Sequence, residues 1–391
     1  SAVGTLEFRA IQEPIRTLPN VYQFYQAKAR DIDFDTQEVV CDSIYGSGSF
    51  SIKYDKLVMA MGVKTNTFGT KNLVEREGQE VFFLKHLWHA RSIRNRTIEV
   101  FEIAALPQVG VQEKKRLLSF LIVGGGPTSC EYAAELYDFL SEDMANLYPD
   151  LVEHTTLTLV EAADAILGPF DNHLRAYVER LFNKRNIKIR TKTAVTGVEL
   201  CHVEGFHHES TKAIMSDGTE HRFGTLVWSA GLQPVKFTDK VTSKGIQRTE
   251  AGRIIIDEYL RVKGHEGKVW AIGDCAECET MPLPLLAQVA QQQSGYMAKV
   301  LTKSIREDEK AFHFYSLGSM LSVGKWKGIY DGQSLGDPYG WRAKVTNISG
   351  FAAFITYRTA YWGKQVSWTN KLLIPMYWFK SWAFGRDICR F

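Results

Sequence analysis

The sequence predicts an α/β fold in which one α/β domain is inserted within another, and three observations support this. A glycine-rich turn stands between an apolar run and a helix-favouring run near the middle of the chain. Segments with strand-like alternation lie on both sides of that unit. The chain has 391 residues, of which 45% are hydrophobic and 23% are charged, so it can bury two or more cores.

The central unit begins with the run "LLSFLIVGGGPTSCEYAAEL", residues 117–136. The apolar residues before the glycines predict a buried strand, and those from Pro127 onward predict a helix. Gly124 and Gly126 would let the main chain approach a pyrophosphate, whose charge is stabilised by free N–H groups at a helix start. Ser129 takes the third small position, where the strict fingerprint has glycine. The turn is therefore predicted to bind a dinucleotide; the alternative is a buried glycine turn that binds nothing.

Glu161, in "TTLTLVEAADAIL", provides the second half of this fingerprint. An acidic residue at the end of the second strand can accept a hydrogen bond from a ribose 2′-OH. Its distance from the glycines is longer than usual because "YDFLSEDMANLYPDLVEH" is predicted to be a helical insertion. No arginine stands beside Glu161 to accommodate a 2′-phosphate, so the sequence favours NAD(H) over NADP(H).

The flanking segments follow in a regular order. Residues 20–60 alternate like antiparallel strands, with a glycine-bearing turn at "YGSGSF" and a buried strand in "SIKYDKLVMAMG". Residues 82–106 predict a long amphipathic helix or a pair of helices. The central unit closes at "GTLVWSAG"; strands in "RIIIDEYLRV" and "KVWAIGDCA" then precede a helix in "LLAQVAQQQSGYMAKVLTKSI". The predicted domains are the outer domain, residues 1–115 and 241–325, the central domain, 116–240, and a C-terminal region, 326–391.

Composition argues against several classes of function. The net charge of +3 is small and dispersed, which argues against a nucleic-acid partner. No apolar run approaches the ~18 residues of a membrane-spanning helix. Of six cysteines, Cys275 and Cys278 alone form a C-x-x-C, and no second pair completes a zinc site. We therefore predict no metal site and reduced thiols rather than a redox-active pair.

The chain beyond Lys325 is rich in tryptophan and in basic residues. It holds six of the nine tryptophans, and from Phe351 onward six cations accompany one acid, Asp387. Aromatic and apolar segments interleaved with cations, each too short to span a bilayer, are typical of helices that lie in the lipid interface. Residues 351–391 are therefore predicted to contact a membrane surface; a dimer interface of the same composition is the alternative. The residues are Trp326, Trp341, Trp362, Trp368, Trp378, Trp382, Arg358, Lys364, Lys371, Lys380, Arg386 and Arg390.

Nine segments together resemble the type II NADH dehydrogenases, single-polypeptide, non-proton-pumping NADH:quinone oxidoreductases of the two-dinucleotide-binding flavoprotein superfamily. The likeness runs essentially from one end of the chain to the other. It implies two Rossmann-like domains of the glutathione-reductase type, with the NAD domain inserted in the FAD domain and a C-terminal membrane-associating region. The segments are "SAVGTLEFRAIQEPIR", "YDKLVMAMG", "FFLKHLWHARSIRNR", "IVGGGPTSCEYAAEL", "LTLVEAADAIL", "LVWSAGLQP", "VWAIGDCA", "LAQVAQQQSGYMAKVL" and "SWTNKLLIPMYWFKSWAFGRDICRF".

The resemblance assigns cofactor-binding residues to both domains. It implies that Gly62, Gly273 and Asp274 lie along FAD, with the Asp274 carboxylate on the ribityl or pyrophosphate region. A turn or cap role is the alternative for Asp274. It places NADH on the glycine turn, with Gly124, Gly126, Ser129, Glu161 and Gly231 as its contacts.

The resemblance also implies three catalytic residues. Glu131 matches the acidic residue that lies near the nicotinamide in the family; by itself it is a glutamate favoured near a helix N-terminus. Gln288 and Gln292 are four residues apart, on one helical face. In the family that face meets the flavin edge and the quinone headgroup, where amides can bond carbonyls; the alternative is an ordinary surface helix.

The implied activity is hydride transfer from NADH to FAD and electron transfer to a ubiquinone-type quinone in the respiratory chain, without proton pumping. The implied location is peripheral, on the mitochondrial inner membrane or on a bacterial cytoplasmic membrane, as a homodimer or in a larger respiratory assembly. One departure concerns FAD, because nothing before Gly124 resembles the earlier βαβ turn that holds its ADP half in the family. Three explanations stay open: the sequence is part of a longer enzyme, another chain supplies this lobe, or the protein is an FAD-deficient accessory subunit. A soluble NADH-dependent flavoprotein reductase is the alternative class of enzyme.

Overall fold

Buried apolar runs and amphipathic segments give the chain a mixed α/β fold. The structure, a computed structural model, describes residues 2–19, 21–201, 210–306, 308–338 and 347–389. Its strands are β1 Ala27–Asp33, β2 Glu38–Ser43, β3 Ser49–Lys53, β4 Leu57–Met59, β5 Val63–Thr65, β6 Val81–Phe83, β7 Ser119–Val123, β8 Thr156–Val160, β9 Ile187–Arg190, β10 Val195–Cys201, β11 Ser210–Met215, β12 Glu220–Phe223, β13 Thr225–Trp228, β14 Leu232–Pro234, β15 Ile254–Ile256, β16 Val269–Ala271, β17 Ala276–Cys278, β18 Ser319–Ser322, β19 Gly328–Asp331 and β20 Ile348–Gly350.

The helices follow the amphipathic segments. They are α1 Leu87–Ala104, α2 Val111–Leu117, α3 Pro127–Phe139, α4 Ala145–Leu147, α5 Pro149–Val152, α6 Asn172–Lys184, α7 Lys236–Thr242, α8 Ala287–Leu301, α9 Phe351–Gly363 and α10 Trp368–Phe384. A π-helical turn, Leu140–Met144, continues α3, and short 3₁₀ turns cover Phe8–Ile11, Ile15–Thr17 and Gly273–Cys275. The predicted insertion before Glu161 is therefore helical, as α3 runs on through this turn into α4 and α5.

A five-stranded parallel sheet carries the glycine-rich turn. Its order is β6-β13-β7-β8-β9, and every neighbouring pair is parallel. All five residues of β7 are buried, as expected for a parallel sheet covered on both faces. Phe120 and Ile122 pack into the helical core, and Leu121 and Val123 pack toward the antiparallel sheet β10-β11-β12.

The edge strand of this sheet corrects one expectation. Phe82 and Phe83 do not begin a helix, because they belong to β6 and pair with β13. The helix α1 begins at Leu87, where the His86 N–H donates to His89 Nδ1 at 3.1 Å. A short apolar run before a helix does not by its periodicity show which element it joins. The sheet therefore extends upstream of residues 116–240, and the division into domains stays a proposal.

The second lobe is built from segments on both flanks of that sheet. The predicted hairpins of residues 20–60 form an antiparallel sheet, β1-β2-β3, and the buried strand after them is β4. Here β4 pairs with β16 and β15 pairs with β17, in parallel pairs of three-residue strands. The fully buried Trp270 lies in the core of this lobe, and α8 supplies buried residues to the same core. Antiparallel strands β5 and β14 run between the two lobes.

The C-terminal region, together with the strand β18 that precedes it, forms a small sheet and two helices. The antiparallel sheet β18-β19-β20 leads into α9, which packs against it, and α10 packs against the 3₁₀ turn Phe8–Ile11. Among the described helices, none combines the length and the hydropathy that crossing a bilayer requires. Trp341 and Arg390, counted above in the basic, tryptophan-rich region, lie outside the described residues.

Candidate active site

The glycine turn joins β7 to α3 with backbone angles that require glycine at its first position. Gly124 has φ +112°, and a Cβ there would lie 3.0 Å from Ser129 Oγ and 3.2 Å from the Cα of Ala230. Gly126 is the residue before α3 and has open space where a Cβ would stand. Ser129 Oγ lies 2.6 Å from Ser229 Oγ, so the third small position ties α3 to the end of β13. Pro127 opens α3 and has no N–H, so the free N–H groups that an anion site requires come from the residues after it, Thr128 and Ser129.

The Glu161 carboxylate lies directly against this turn. One of its oxygens accepts a hydrogen bond from the Gly125 N–H, and the other accepts one from the Ala163 N–H at 2.7 Å. The structure thus brings together the two halves of the predicted fingerprint. Arg190, on the neighbouring strand β9, directs its guanidinium to Asp217 at 2.7 Å. That cation is therefore engaged elsewhere and not aimed at a 2′-phosphate beside Glu161.

Replacing Glu161 with glutamine should shift the preference between the two nicotinamide cofactors. The amide oxygen can still accept a turn N–H, but the negative charge that repels a 2′-phosphate is gone. We expect the NADPH to NADH ratio of kcat/KM to rise about tenfold, or ~1.4 kcal/mol. Initial rates with each cofactor measure this, and the exposed Asp164→Asn removes a nearby charge as the control. An unchanged ratio in Glu161→Gln would show that this carboxylate does not face the adenosine ribose.

Gly231 lies where the sheet meets the strands that join the two lobes. Its φ is +69°, and its carbonyl accepts a hydrogen bond from the Asn66 N–H at 3.2 Å. The indole N–H of Trp228, at the end of β13, donates to the Asn66 carbonyl at 3.0 Å. The glycine-turn edge of the sheet is therefore fixed to the segment that follows Gly62.

Gly62, Gly273 and Asp274 lie together beyond the carboxyl ends of the parallel strands β4 and β16. This edge is where α/β sheets bind ligands. Gly62 and Gly273 have φ +63° and +70°, and the space beside Gly62 is open where a Cβ would stand. In the described part of the chain, no hydrogen bond or ion pair engages the Asp274 carboxylate. The free carboxylate can accept hydrogen bonds from the hydroxyl groups of a flavin dinucleotide, and backbone N–H groups at this edge suit its pyrophosphate.

A residue that the sequence analysis missed supports this edge. The side-chain oxygen of Gln293 accepts a hydrogen bond from the Gly273 N–H at 2.6 Å, and Gln293 is buried. The burial of Gln293 could have been predicted from its spacing, because it is on the same helical face as the apolar residues Val289, Met297 and Val300. All six cysteines are free thiols, and the described residues contain no cluster of potential metal ligands.

Gln288 and Gln292 bind the chain segment that leads toward Glu131, which we call the linking segment, residues 315–322. Gln292 exchanges two hydrogen bonds with the backbone of Tyr315, at 2.8 and 3.0 Å. The oxygen of Gln288 accepts from the Leu317 N–H at 3.0 Å, and its nitrogen donates to the Gly318 carbonyl at 3.4 Å. Both amides therefore already have backbone partners, and contact with a flavin or a quinone stays a prediction for them.

Glu131 lies at the other end of the linking segment. Its carboxylate accepts a hydrogen bond from the Ser322 N–H at 3.2 Å and is bonded by the side chain of Tyr357. Burial raises the pKa of Glu131 to about 7, and the nearby Glu135 also raises it. At neutral pH this carboxyl is therefore poised to give up or take a proton.

Glu131 lines a cavity of about 340 Å³ between α3 and the C-terminal helices, here called the Glu131 cavity. A second, more open cavity of about 470 Å³, here called the tryptophan groove, shares Arg358, Trp362 and Trp378 with it. The Arg358 guanidinium lies 4.4 Å from the centre of the Trp378 ring, and burial lowers the pKa of this arginine. The groove is lined by Trp326, Phe354, Ile355, Arg358, Thr359, Trp362, Pro375, Trp378, Phe379 and Trp382.

The outer surface of α9 and α10 is apolar. Two cations of this part of the chain, one on α9 and one just after α10, face inward. Arg358 lies among aromatic rings, and Arg386 pairs with Asp143 at 2.7 Å and with Glu142 at 3.0 Å. These two cations therefore do not contribute to a free basic surface, in contrast to what the sequence count predicted. The exposed apolar side chains are Phe351, Ile355, Tyr361, Trp362, Val366, Trp368, Leu372, Met376, Phe379, Trp382 and Phe384.

Comparison with known proteins finds relatives along the whole chain. The family model described as "Pyridine nucleotide-disulphide oxidoreductase" matches residues 3–294. A "Probable NADH dehydrogenase" of Dictyostelium discoideum is 38% identical over all of this chain and 82% of its own length. An "Internal alternative NAD(P)H-ubiquinone oxidoreductase A1, mitochondrial" of Arabidopsis thaliana is 34% identical over all of this chain and 77% of its own. An "External NADH-ubiquinone oxidoreductase 2, mitochondrial" of Saccharomyces cerevisiae is 31% identical over 98% of this chain and 73% of its own.

A solved structure has the same fold over nearly the whole chain. It is described as NDH2 from Plasmodium falciparum in complex with NADH. It superposes with a TM-score of 0.86 and covers 99% of this chain and 90% of its own, at 21% sequence identity. At that identity the likeness supports the fold.

Proposed function

Because the chain belongs to the type II NADH–ubiquinone oxidoreductases, within the pyridine nucleotide-disulphide oxidoreductase family, we propose that it oxidises NADH with a ubiquinone-type quinone at a mitochondrial membrane surface. One observation carries the proposal for the site. The Glu131 carboxyl, whose pKa burial raises to about 7, lines a cavity that shares three residues with an aromatic groove between two helices with exposed apolar faces. A lipid-soluble quinone needs an apolar route to its binding site, and its reduction to quinol needs a proton donor.

NADH binds at the glycine turn in this proposal. The pyrophosphate lies against the N-terminus of α3 beside Gly124 and Gly126, and the Glu161 carboxylate accepts a hydrogen bond from the adenosine ribose. Two hydrogen bonds fix the turn: the Gly125 N–H donates to the Glu161 carboxylate, and the Ser129 hydroxyl bonds the Ser229 hydroxyl. A rigid turn orients the dinucleotide without further ordering on binding.

Gly62, Gly273 and Asp274 hold FAD, with Gln293 fixing the backbone of Gly273. When bound, FAD supplies the redox centre that takes two electrons from the nicotinamide and passes them to the quinone. The contribution of this chain is to place the two strand ends, β4 and β16, side by side and to leave the Asp274 carboxylate free for a hydroxyl group.

The quinone enters through the tryptophan groove and reaches the Glu131 cavity. Trp362 and Trp378 line both spaces, and Arg358 lies at their junction with its charge over the Trp378 ring. Inside the cavity the Glu131 carboxyl donates a proton to a quinone oxygen, and the Ser322 N–H holds the carboxylate that remains.

The apolar face of α9 and α10 rests on the membrane in this proposal. Trp368, Leu372 and Met376 are 78%, 67% and 63% exposed. A continuous patch of such large apolar residues is unusual unless it contacts lipid or protein. Exposed Lys364 and Lys380 border this face and suit anionic lipid headgroups. A second copy of the chain packed on the same face is the competing occupant.

The proposal is tested with the flavin-loaded protein and liposomes that contain ubiquinone. We expect NADH consumption that matches quinol formation one to one, and a Trp368→Ser/Leu372→Ser/Met376→Ser variant that binds liposomes about tenfold more weakly. Val74→Ser, at another exposed apolar position, is the control. A change in sedimentation without a change in liposome binding would assign this face to a dimer.

Two results would replace the proposal. NADH oxidation by the purified protein that is the same with and without residues 351–391, and that needs no quinone, would indicate a soluble reductase. A protein that binds neither flavin nor NADH would indicate an accessory subunit.

A further inference from the structure

Acidic side chains continue from Glu131 along one face of α3 and the π-helical turn after it. Glu131, Glu135, Asp138 and Glu142 are spaced by four, three and four residues, which places successive side chains next to each other on a helix. Of these four acids, Glu131 alone donates a proton to the quinone in the proposed function. The other three extend from that carboxyl toward the protein surface, where Glu142 is exposed.

Glu135 lines two cavities at once. One is the Glu131 cavity, and the other is a space of about 440 Å³ on the far side, here called the acidic cavity. The acidic cavity is also lined by Asp138, Glu142 and Asp143. Each cavity is large enough for several water molecules, given about 30 Å³ for each in the liquid. The two spaces are thus neighbours, because Thr5, Glu135, Arg358 and Trp378 line both of them.

Asp138 is buried in a way that its structural contacts do not explain. It is 2% exposed, and one of its oxygens accepts the Lys325 N–H at 2.6 Å. Its other oxygen has no hydrogen-bond partner in the described residues, although the side chain lines the acidic cavity. A buried carboxyl with one unpartnered oxygen is costly to maintain, whereas an asparagine could keep the Lys325 contact without a buried ionisable group.

The surroundings bring the pKa of Asp138 close to neutral pH. Burial and the charges of Glu135 and Glu142 raise this pKa, Arg185 after α6 and the Lys325 N–H lower it, and the balance is a value of about 7. Arg358 from α9 and Arg386 face the same cavity. A group that titrates near pH 7 both accepts and releases protons at the working pH.

Hydrogen bonds connect Glu135 to the outside. Its carboxylate accepts from the Thr5 hydroxyl at 3.2 Å, and the Thr5 oxygen accepts from Arg386 Nε at 3.3 Å. Arg386 in turn binds the carboxylates of Glu142 and Asp143. Thr5 and Arg386 thus link the Glu135 carboxylate to the acids Glu142 and Asp143 near the surface.

Quinone reduction needs a path by which protons reach the active site from solvent. Converting a quinone to a quinol takes up two electrons and two protons. NADH gives up two electrons and one proton as a hydride and becomes NAD⁺, so the second proton comes from water. The approach of the quinone is apolar and does not supply it.

We propose that Glu135 and Asp138, with water held in the two cavities, carry the solvent proton along this face of α3 to Glu131. Neither residue touches the quinone; both act through Glu131. This inference rests on the proposed function, because it needs quinone as the electron acceptor.

The first test compares an acceptor that takes up protons with one that does not. In the flavin-loaded protein we expect Asp138→Asn and Glu135→Gln to lower kcat with a short-chain quinone about tenfold, and to leave the rate with ferricyanide within about twofold. Asp138→Glu should restore most of the quinone rate because it keeps a titratable carboxyl. Asp150→Asn, an exposed acid on α5, is the matched control.

The second test follows the proton itself and uses no substrate. The infrared carboxyl band of Glu131, identified by its loss in Glu131→Gln, reports protonation after a rapid pH jump. We expect this protonation to slow about tenfold in Asp138→Asn and Glu135→Gln. Glu135 is partly exposed, so its variant retains the fold even if the buried Asp138 proves sensitive to substitution.

The outcomes separate the relay from the function beneath it. Equal losses with quinone and ferricyanide, or unchanged protonation of Glu131 in both variants, would overturn the relay. A wild-type protein that does not reduce quinone, or a Glu131→Gln variant with the full quinone rate, would instead overturn the proposed function.

Discussion

Replacing Glu131 with glutamine is expected to lower the rate of quinone reduction about a hundredfold, the usual loss when a general acid is removed. Glutamine keeps the shape of the side chain and can still accept the Ser322 N–H, but it cannot donate a carboxyl proton. The ferricyanide rate should change little, because reduction of ferricyanide takes up no proton. Stopped-flow and steady-state rates with each acceptor measure this, and exposed Glu250→Gln is the control.

The pH dependence gives this prediction a second, independent readout. Because the pKa of Glu131 is raised to about 7, the wild-type quinone rate should fall as pH rises through 7, and this limb should disappear in the variant. Stability should respond with a definite sign. The carboxyl ionises near pH 4.5 in the unfolded chain and near 7 in the folded one, so its favourable contribution is lost between these values as pH rises. Glu131→Gln should therefore be more stable than the wild type at pH 8. For the rate, a wild-type quinone activity that is constant from pH 6 to 8 would contradict the role of Glu131 as proton donor.

Replacing Arg94 with methionine is expected to destabilise the fold by about 3–5 kcal/mol, as in other cases where one partner of a buried ion pair is removed. Arg94, on α1, is 1% exposed. Its guanidinium lies 2.9 Å from the Asp387 carboxylate and 2.9 Å from the Cys389 carbonyl, and 3.7 Å from Glu7. The variant would leave Asp387 without its cation. Denaturant unfolding measures the change, and Arg91→Met, at an exposed position on the same helix, should stay within about 0.5 kcal/mol.

Asp387 supplies the pH test of this second prediction. Burial alone would raise its pKa, but hydrogen bonds from Cys389 and the charge of Arg94 lower the pKa of Asp387 to about 2. Its contribution to stability is therefore present above about pH 3.8 and lost as pH falls toward 2. Without Arg94 this loss should begin at a higher pH. An Arg94→Met protein with the wild-type unfolding midpoint at pH 7 would show that this contact does not hold the C-terminus.

Local signals predicted the central unit well. The strand, turn and helix around Gly124 follow from an apolar run, a position that requires positive φ and a helix-favouring run, all within twenty residues. The motif placed Glu161 at the end of the next strand, and the structure adds that its carboxylate contacts the glycine turn itself. The helical insertion was also confirmed, and so was α8, whose periodicity extends over several turns.

Features that depend on distant parts of the chain were not predictable in this way. Phe82 and Phe83 join a sheet through pairing with β13, more than a hundred residues away, and three residues are too few to show a period. The counting of cations placed Arg386 on a membrane surface, whereas its partners Glu142 and Asp143 lie on another element. The partners of Gln288 and Gln292, and the partner of Glu131 at Ser322, all come from a segment to which the sequence analysis assigned no role.

That segment constrains how the protein can vary. The linking segment, residues 315–322, is bonded to α8 near one end and to Glu131 at the other. An extended residue adds about 3.3 Å and turns the following backbone groups to the opposite side. One inserted or deleted residue would move the Ser322 N–H away from Glu131 while Gln288 and Gln292 stayed in place, so the length of this part of the chain is fixed.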